Sequence, residues 1–437
     1  MDASTIGLIS LGLMIVLIQL GIHIAVVLLV LSFIATWMIR GNIDVAGSLL
    51  AKAVETSLQS YSFGVIPLFV AMGLLVSVSG VGRDTFDVAG RAFRRVGGGL
   101  GMATVAANAV FAAINGSSIA SASVFTKLAV PELMRQGYTP RFSVGVVAGS
   151  SVLGMLIPPS LLLIFFGIIA EVSIGDLFTA GILPGLILAG AFMLVIALMV
   201  RISPQMVQKA DTPEHFHEDS TLGRELLKLA PIATLILIVL GGIYGGIFTP
   251  VEAGGVGALA ALVLAIAKRK LTLQGLWQVL TETGYVTASV SVLIIAAHMY
   301  ANMLALSRLP NVLGGWFAEA EVSFAVLLLI YLIAILLLGT ILDAVSIILI
   351  LLPLVQPIMM AEGVDMIWFG IITIIAVEVG LLTPPLGLAV FVIKTNLNDP
   401  NISLRDIFLG TAPFAVTMLA VLALIVAVPQ LATVLVN

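Results

Sequence analysis

Two long apolar stretches of this chain are each broken in mid-course by glycine, small polar residues and a pair of adjacent prolines. The first runs from Phe142 to Ala170 and is interrupted by Gly149, Ser150, Ser151, Gly154, Pro158 and Pro159. The second runs from Ile367 to Ile393 and is interrupted by Glu378, Gly380, Thr383, Pro384, Pro385 and Gly387. Proline removes an N–H donor and clashes with the preceding turn, so a helix opens there and frees backbone carbonyls. Lipid cannot satisfy such carbonyls, so both breaks must face protein or a wet cavity. Each break also follows a hairpin pattern in which two apolar limbs flank a polar tip. The first hairpin spans Gly99 to Val130 around Asn115, Gly116, Ser117, Ser118, Ser121 and Ser123, and the second is centred on Gly339, Thr340, Asp343 and Ser346.

The surrounding chain leaves one class of fold. Hydrophobic residues make up 60% of its 437 positions, charged residues 10%, and the mean hydropathy is +1.22. The apolar runs are long and unbroken rather than alternating, which predicts an all-α polytopic membrane protein and excludes a transmembrane barrel. The Thr5 to Met38 region is too long for a signal peptide and lacks a basic n-region, so it is read as part of the mature chain. There are no cysteines, hence no disulfide or thiolate site. The net charge of −4 and its thin spread do not suggest nucleic acid. The histidines at 23, 215, 217 and 298 form no helical metal pair, and no phosphate-binding Gly-Lys-Ser/Thr motif is present.

Taken in order, residues 5–39 predict two spans turning near Gly21 and His23. Asn42 to Leu58 reads as an amphipathic interfacial segment, Phe63 to Val81 as a span, and Arg83, Arg91, Arg94 and Arg95 as a basic loop. After the first hairpin and broken span comes Leu177 to Val200, then a solvated, charged loop from Ser203 to Arg224. The second half repeats the plan. Spans are predicted at Leu229 to Ile243 and Val251 to Ile266, an amphipathic stretch at Leu273 to Leu280, and a span at Tyr285 to Leu306. The second hairpin and broken helix follow, and a final span runs from Ile407 to Leu435. Beyond each proline pair, Ser173…Asp176 and Ser403…Asp406 are matching helix starts with an acid three residues after a serine cap.

Each half therefore holds about five transmembrane helices plus a re-entrant helical hairpin. An odd number of crossings makes the two repeats inverted in topology. With the N-terminus outside, Arg40, Lys52 and Arg308 fall outside, Lys127 sits in a hairpin, and the other fifteen of nineteen Lys and Arg fall inside. That asymmetry satisfies the positive-inside rule. Inverted repeats meeting at mid-membrane breaks mark a secondary transporter.

The tips and breaks supply hard oxygens suited to a sodium ion. One candidate sodium site joins Asn115, Gly116, Ser117 and Ser118 to Gly149, Ser151 and Gly154. Its counterpart joins Gly339, Thr340 and Asp343 to Glu378, Gly380 and Thr383. Helix N-termini and hydroxyls at Ser117, Ser118, Ser150, Thr340 and Thr383, beside Pro159 and Pro385, suit the carboxylate of a small solute. Singly, any of these glycines and serines reads as a packing residue, Ser121 and Ser123 above all. Asp343 is equally suited to capping its own hairpin's second helix. Glu378 reads alternatively as a proton carrier or a buried structural acid. His298 and Asn302 share a helix face and are expected to satisfy each other or a neighbour.

The stretches Gly339-Thr340-Ile-Leu-Asp343, Glu378-Val-Gly380-Leu-Leu-Thr383-Pro384-Pro385-Leu-Gly387, Gly154-Met-Leu-Ile-Pro158-Pro159-Ser160 and Gly246-Ile-Phe-Thr249-Pro250-Val-Glu252 resemble the large membrane subunit of tripartite ATP-independent periplasmic (TRAP) transporters. The resemblance covers essentially the whole chain. It implies sodium-driven, elevator-type uptake of an organic acid across the bacterial inner membrane. The implied partners are a periplasmic substrate-binding protein and a small four-helix membrane subunit, here expected as a separate chain because Met1 opens almost directly into the first span. On that reading residues 1–98 and 229–321 are scaffold, 99–200 and 322–437 are the moving transport domain, and 201–228 is a cytoplasmic loop. No catalytic residue is expected. The alternatives are a stand-alone divalent-anion/sodium symporter, an intramembrane enzyme using Glu378 and His298, and a channel with two opposed hairpins.

Overall fold

The computed structural model describes residues 2–206, 222–397 and 399–436, and among these every regular element is helical. The expected loop from Ser203 to Arg224 lies largely outside the described residues. The first repeat comprises α1 (Ala3–Gln19), α2 (Ile24–Arg40), α3 (Ile43–Gln59), α4 (Val65–Val78), α5 (Val81–Ala92), the hairpin α6 (Gly99–Asn115) and α7 (Ser118–Arg135), the broken span α8 (Pro140–Ser151), α9 (Leu153–Leu156) and α10 (Leu161–Ala170), and α11 (Ile174–Ile202). The second comprises α12 (Leu222–Tyr244), α13 (Pro250–Ala267), α14 (Leu273–Ser307), α15 (Leu309–Glu319), the hairpin α16 (Phe324–Gly339) and α17 (Ala344–Ala361), the broken span α18 (Met366–Leu382) and α19 (Leu388–Asn396), and α20 (Leu404–Ala427) with a short α21 (Gln430–Thr433).

The correspondence extends to packing. Helix α2 lies on α14 while α4 lies on α13, so equivalent helices exchange partners between repeats. In the same way α8 packs on α20 and α18 on α11, while α10 packs on α17 and α19 on α7. Six helices are long and apolar enough to cross a bilayer, or seven if the bent pair Pro140–Leu156 and Leu161–Ala170 is one span. Helix α17 meets that length test, but it starts at a hairpin tip beside a helix break, so it is a returning limb rather than a crossing. Six further apolar helices of 16 or 17 residues, among them α1, α2 and α18, fall just below that length. At 1.5 Å per residue they reach about 25 Å, close to the hydrocarbon thickness.

The structure corrects several boundaries. Most of the basic loop after α4 is instead helix α5, which buries Val81, Thr85, Phe86 and Gly90, exposes Arg83 and pairs the half-buried Asp84 with Lys268 at the end of α13, while Arg94 and Arg95 lie in the turn beyond it. That apolar stripe was obscured by the arginines between its members. The amphipathic stretch from Leu273 and the following span are one helix, α14, which runs on through Gly284 without a break. At 35 residues it extends about 52 Å, more than the bilayer needs, so its first turns must lie near the interface. Helix α15 was not expected; it is the second repeat's counterpart of α5. Helices α7 and α17 continue through Pro131, Pro353 and Pro357, and the last span ends at Ala427. The serine caps hold: Ser173 accepts from the Asp176 amide at 3.2 Å, and Ser403 and Asp406 form a full capping box. His23 caps α2 by accepting from the Ala25 amide, and His298 finds its partner in Ser57, at 2.8 Å.

Small residues set the closest contacts, as expected where lipid competes with apolar side chains and only backbone approach adds packing energy. Gly145 of α8 and Gly410 of α20 touch backbone to backbone, and a Cβ on either would overlap the other chain segment. Phe414 fills the space beside Gly149 and stacks edge-on against Phe192 of α11, with ring centroids 5.4 Å apart. At one end of this contact Arg141 pairs with Asp406 at 3.0 Å, a partly exposed bridge that contributes little by itself. Replacing Gly410 by Val is expected to destabilise the fold by about 1–3 kcal/mol, the usual cost of overpacking. Thermal unfolding of the detergent-solubilised protein measures it, and an unchanged midpoint would show that the α8–α20 contact can open freely.

Candidate functional site

Each hairpin tip is joined to the break of its own repeat by the same backbone hydrogen bond. In the first repeat the Leu161 amide, two residues past Pro159, donates to the Gly116 carbonyl at 3.1 Å. In the second the Leu386 amide, next after Pro385, donates to the Thr340 carbonyl at 3.1 Å. Glycine makes the approach possible. A Cβ on Gly154 would lie 2.7 Å from the Ser117 carbonyl oxygen, and one on Gly116 would lie 2.6 Å from that of Pro159. Gly116 also sits at φ +66, a left-handed conformation that ends α6 and that side-chain-bearing residues rarely adopt. Gly339 and Gly380 face each other so closely that a Cβ on either would stand 2.7 Å from the other's Cα.

Around the first tip the sequence-predicted residues Asn115, Gly116, Ser117, Ser118 and Gly154 come together. The Asn115 side chain donates to the Ser117 carbonyl at 3.2 Å, and Ser117 caps α7. Gly73 of α4 lies against Asn115, so the tip rests on a helix outside the hairpin. Pro158 and Pro159 offer no N–H to the carbonyls of Gly154 and Met155; the Ser160 hydroxyl takes Met155, while Gly154 keeps no i+4 donor. Ser160 also caps α10. Residues 151–160 are all buried, which closes this pair off and places Pro159 inside it.

Gly149 and Ser151 of the predicted first group, and Ser150 of the predicted solute-binding residues, stand apart from it. Gly149 lies within intact α8, where Phe414 occupies the space a side chain would fill, so its role is helix packing. Ser150 accepts from the Asn108 amide group at 2.6 Å and donates to the Val146 carbonyl at 2.7 Å, fully buried at the α6–α8 contact. Ser151 bonds back to Ala148 in its own helix. The helix is first interrupted at Val152, between α8 and α9 and within the predicted run, and opens fully after Leu156.

Around the second tip Gly339, Thr340, Gly380 and Thr383 are joined, with Pro384, Pro385 and Leu386 exposed beside them. The Thr340 hydroxyl donates to the Leu337 carbonyl at 2.8 Å, and the Thr383 hydroxyl donates to Val379. Asp343 caps α17: one carboxylate oxygen accepts from the Val345 and Ser346 amides at 3.1 Å, and the other from the Ser346 hydroxyl. Glu378 departs from its predicted group. Gly380 marks the face of α18 that meets α16, and two residues span about 200° of helix, so Glu378 points elsewhere. It is 1% exposed and faces Ser118 of the first hairpin, close enough to interact, though neither group closes a hydrogen bond of normal geometry. His298 binds Ser57, so the two members of the acid–base alternative have different neighbours.

The residues that sequence reasoning passed over are the amides of Leu161 and Leu386, the cap Ser160, and the supports Gly73 and Asn108. Only Ser160, a serine directly ahead of an apolar run, carried a readable helix-start signal. Cavities of about 440 Å³ and 640 Å³ meet at Glu171 and His298, at the end of α10 remote from its break. A third of about 670 Å³ lies among α16, α18 and α20. None of these three is lined by a tip or a break residue. Among the described residues no group of three His, Cys, Asp or Glu could hold a metal ion; the oxygens gathered at the tips are backbone carbonyls, hydroxyls, the Asn115 amide and the Asp343 carboxylate.

An all-helical, multi-pass fold with duplicated tip-and-break pairs is that of a secondary-transporter permease. The family described as "Tripartite ATP-independent periplasmic transporter, DctM component" matches residues 11–431, and the chain belongs to it. It is 34% identical to the C4-dicarboxylate TRAP transporter large permease protein DctM of Pseudomonas aeruginosa, over 90% of each chain. It is 31% identical to the sialic acid TRAP transporter large permease protein SiaM of Vibrio cholerae, over 87% of each. It is 29% identical to the 2,3-diketo-L-gulonate TRAP transporter large permease protein YiaN of Escherichia coli, over 97% of each. Among solved structures, the Alcanivorax borkumensis YdaH transporter superposes with a TM-score of 0.57 at 17% identity, covering 84% of this chain and 85% of that one; this likeness concerns the fold. The protein is a multi-pass protein of the bacterial inner membrane.

The two pairs differ in exposure, and a chain without native cysteines allows a direct check. Leu386, 45% exposed, is expected to react with N-ethylmaleimide as Leu386→Cys in native membranes. Ser160, fully buried, is expected to resist as Ser160→Cys until the protein is denatured. Equal native labelling of both would contradict the closed first pair.

Proposed function

We propose that this chain is the sodium-coupled permease that carries a small organic acid inward, as the large subunit of a tripartite uptake system. The observation that carries the reading is the repeated hydrogen bond from an amide just past each proline pair to the hairpin tip of the same repeat. It supports two equivalent loops in which carbonyls and hydroxyls converge without a helix to occupy them. Such oxygens suit a hard monovalent cation: Gly116, Ser117, Ser118 and Gly154 at one pair, Gly339, Thr340, Gly380 and Thr383 at the other, with Asp343 nearby.

The solute's carboxylate is suited by helix N-termini that end at these loops, those of α7, α10, α17 and α19, where the helix dipole favours an anion. The dicarboxylates, sialic acid and 2,3-diketo-L-gulonate named for the relatives all bear a carboxylate, which agrees with that chemistry. A periplasmic binding protein delivers the solute, and a small membrane subunit completes the complex. The mutually packed helices α2, α4, α13 and α14 form the scaffold. The hairpins and broken spans, with α11 and α20, move against it as the transport domain, so that the closed tips open on alternate sides.

Uptake of a labelled carboxylate into proteoliposomes holding the complex is expected to require an inward sodium gradient. A potassium gradient of equal size that drives the same uptake would remove sodium from the mechanism. Thr383→Ala and Asp343→Ala should each raise the half-saturating sodium concentration by about tenfold, the scale of one lost cation or cap contact. Wild-type sodium dependence in both variants would move the second cation elsewhere.

A further inference from the structure

The first hairpin and its broken helix, residues 99–170, hold a single acid, Glu132, and it is paired with Arg135 at 2.6 Å. The oxygens at the first tip are therefore all neutral. The second hairpin, by contrast, carries Asp343 in its own tip. A cation placed among neutral oxygens in a low-dielectric interior keeps its full charge uncompensated, which is costly. The carboxylate that the fold brings to the first tip comes from the other repeat: Glu378 faces Ser118.

Four oxygen atoms at this junction are buried and unpartnered. They are both carboxylate oxygens of Glu378, the hydroxyl of Ser118, and the hydroxyl of Ser121 one turn further along α7. The three residues are no more than 1% exposed. Ser118 and Ser121 lie three residues apart and so share a face of α7. Other hydroxyls in the hairpin helices have partners: Thr126 donates to the Ala122 carbonyl at 2.6 Å, Ser123 to the Asn396 side chain at 3.1 Å, and Ser346 to Asp343. Buried polar atoms without partners are rare, and each asks for an explanation. A packing role explains serines that bond back to their helix. It does not explain four orphaned oxygens, one pair of them on a carboxylate.

We propose that Glu378 is the counter-charge of the sodium ion at the first tip, with the Ser118 and Ser121 hydroxyls among its ligands, so that both repeats hold one ion. The inference rests on the sodium reading above and adds to it a charged group supplied across the repeat boundary. It has a mechanical consequence. Helix α18 is continuous from Met366 to Leu382 and carries Glu378 two residues before Gly380 and five before Thr383. An ion that draws Glu378 toward the first tip thereby fixes the strand of the second pair, so occupation of one pair favours occupation of the other. The coupling passes through a rigid helix whose position both ions bias, as a linkage between sites requires.

The test uses the full-length chain purified in detergent, with the thermal unfolding midpoint followed against sodium chloride and, as control, potassium chloride. The wild type is expected to gain stability in sodium with a cooperative dose response. Glu378→Gln keeps the shape and removes the charge. It is expected to raise the half-saturating sodium concentration about tenfold or more and to abolish cooperativity, consistent with losing a charge-assisted contact. Adding Ser118→Ala to Glu378→Gln should cost less than Ser118→Ala does in the wild type, because the two groups serve one ion. An unchanged sodium response in Glu378→Gln, or strictly additive effects, would overturn the counter-charge role while leaving sodium coupling intact. A wild type indifferent to sodium would overturn the sodium reading itself, and this inference with it. Should Glu378→Gln fail to fold, Glu378→Asp and Ser121→Ala decide: a weakened sodium response in both supports the proposal, and wild-type responses in both overturn it.

Discussion

A peptide group inside a bilayer has no water to turn to, and this fold is arranged around the two places where the chain defies that rule. At Pro158-Pro159 and Pro384-Pro385 the helix loses donors it cannot replace from within. A hairpin that enters the membrane only to reach the break supplies the acceptor that an amide beyond the prolines lacks in its own helix: the carbonyls of Gly116 and Thr340 accept from the Leu161 and Leu386 amides. The glycines follow from the same demand. Gly154 must let the Ser117 carbonyl approach, and Gly339 and Gly380 must let two helices touch at their backbones. The hairpins, the breaks and the small residues are thus one solution to one problem. The oxygens left over from that solution are what a transported cation can use.

Duplication copied the backbone solution more faithfully than the chemistry. The first break is buried throughout while Ser117 of its tip is half-buried and Ile119 exposed, and the pair is held by α4 through Gly73 and by α11, whose Gly181 lies against the Leu156 carbonyl. The second presents Pro384, Pro385 and Leu386 at the surface. Both acids near the tips, Asp343 and Glu378, come from the second repeat, and they do different work. Asp343 is occupied by the amides at the start of α17, whereas Glu378 is turned to the opposite repeat. Two loops of equal geometry therefore differ in charge and in access, and a transporter that must bind and release in order needs both differences.

Much of this was legible without coordinates, for identifiable reasons. Prolines, glycines and caps act over a few residues, so Ser173-Asp176, Ser403-Asp406 and Asp343 could be read as helix starts, and both breaks could be found within a few positions. The repeat was visible because its punctuation recurs in order. Amphipathic pieces were harder. Helix α5 hides an apolar stripe behind arginines, α15 is short, and α14 continues where a boundary seemed natural. Small residues were hardest, since glycine and serine serve equally to open a helix or to pack one. Gly149 and Ser150 belong to the second use, against Phe414 and Asn108, and Gly154 to the first.

By itself the sequence determined that the chain is helical and membrane-embedded, where its helices must open, and that it does so twice in inverted order, because those facts depend on local donors, local sterics and the parity of crossings. Only the tertiary structure decided which carbonyl answers which amide, which serines are spent on packing, and that Glu378 looks across to Ser118 rather than to its own tip. Those are relations between segments tens to hundreds of residues apart, and no local pattern encodes the rotation of one helix against another.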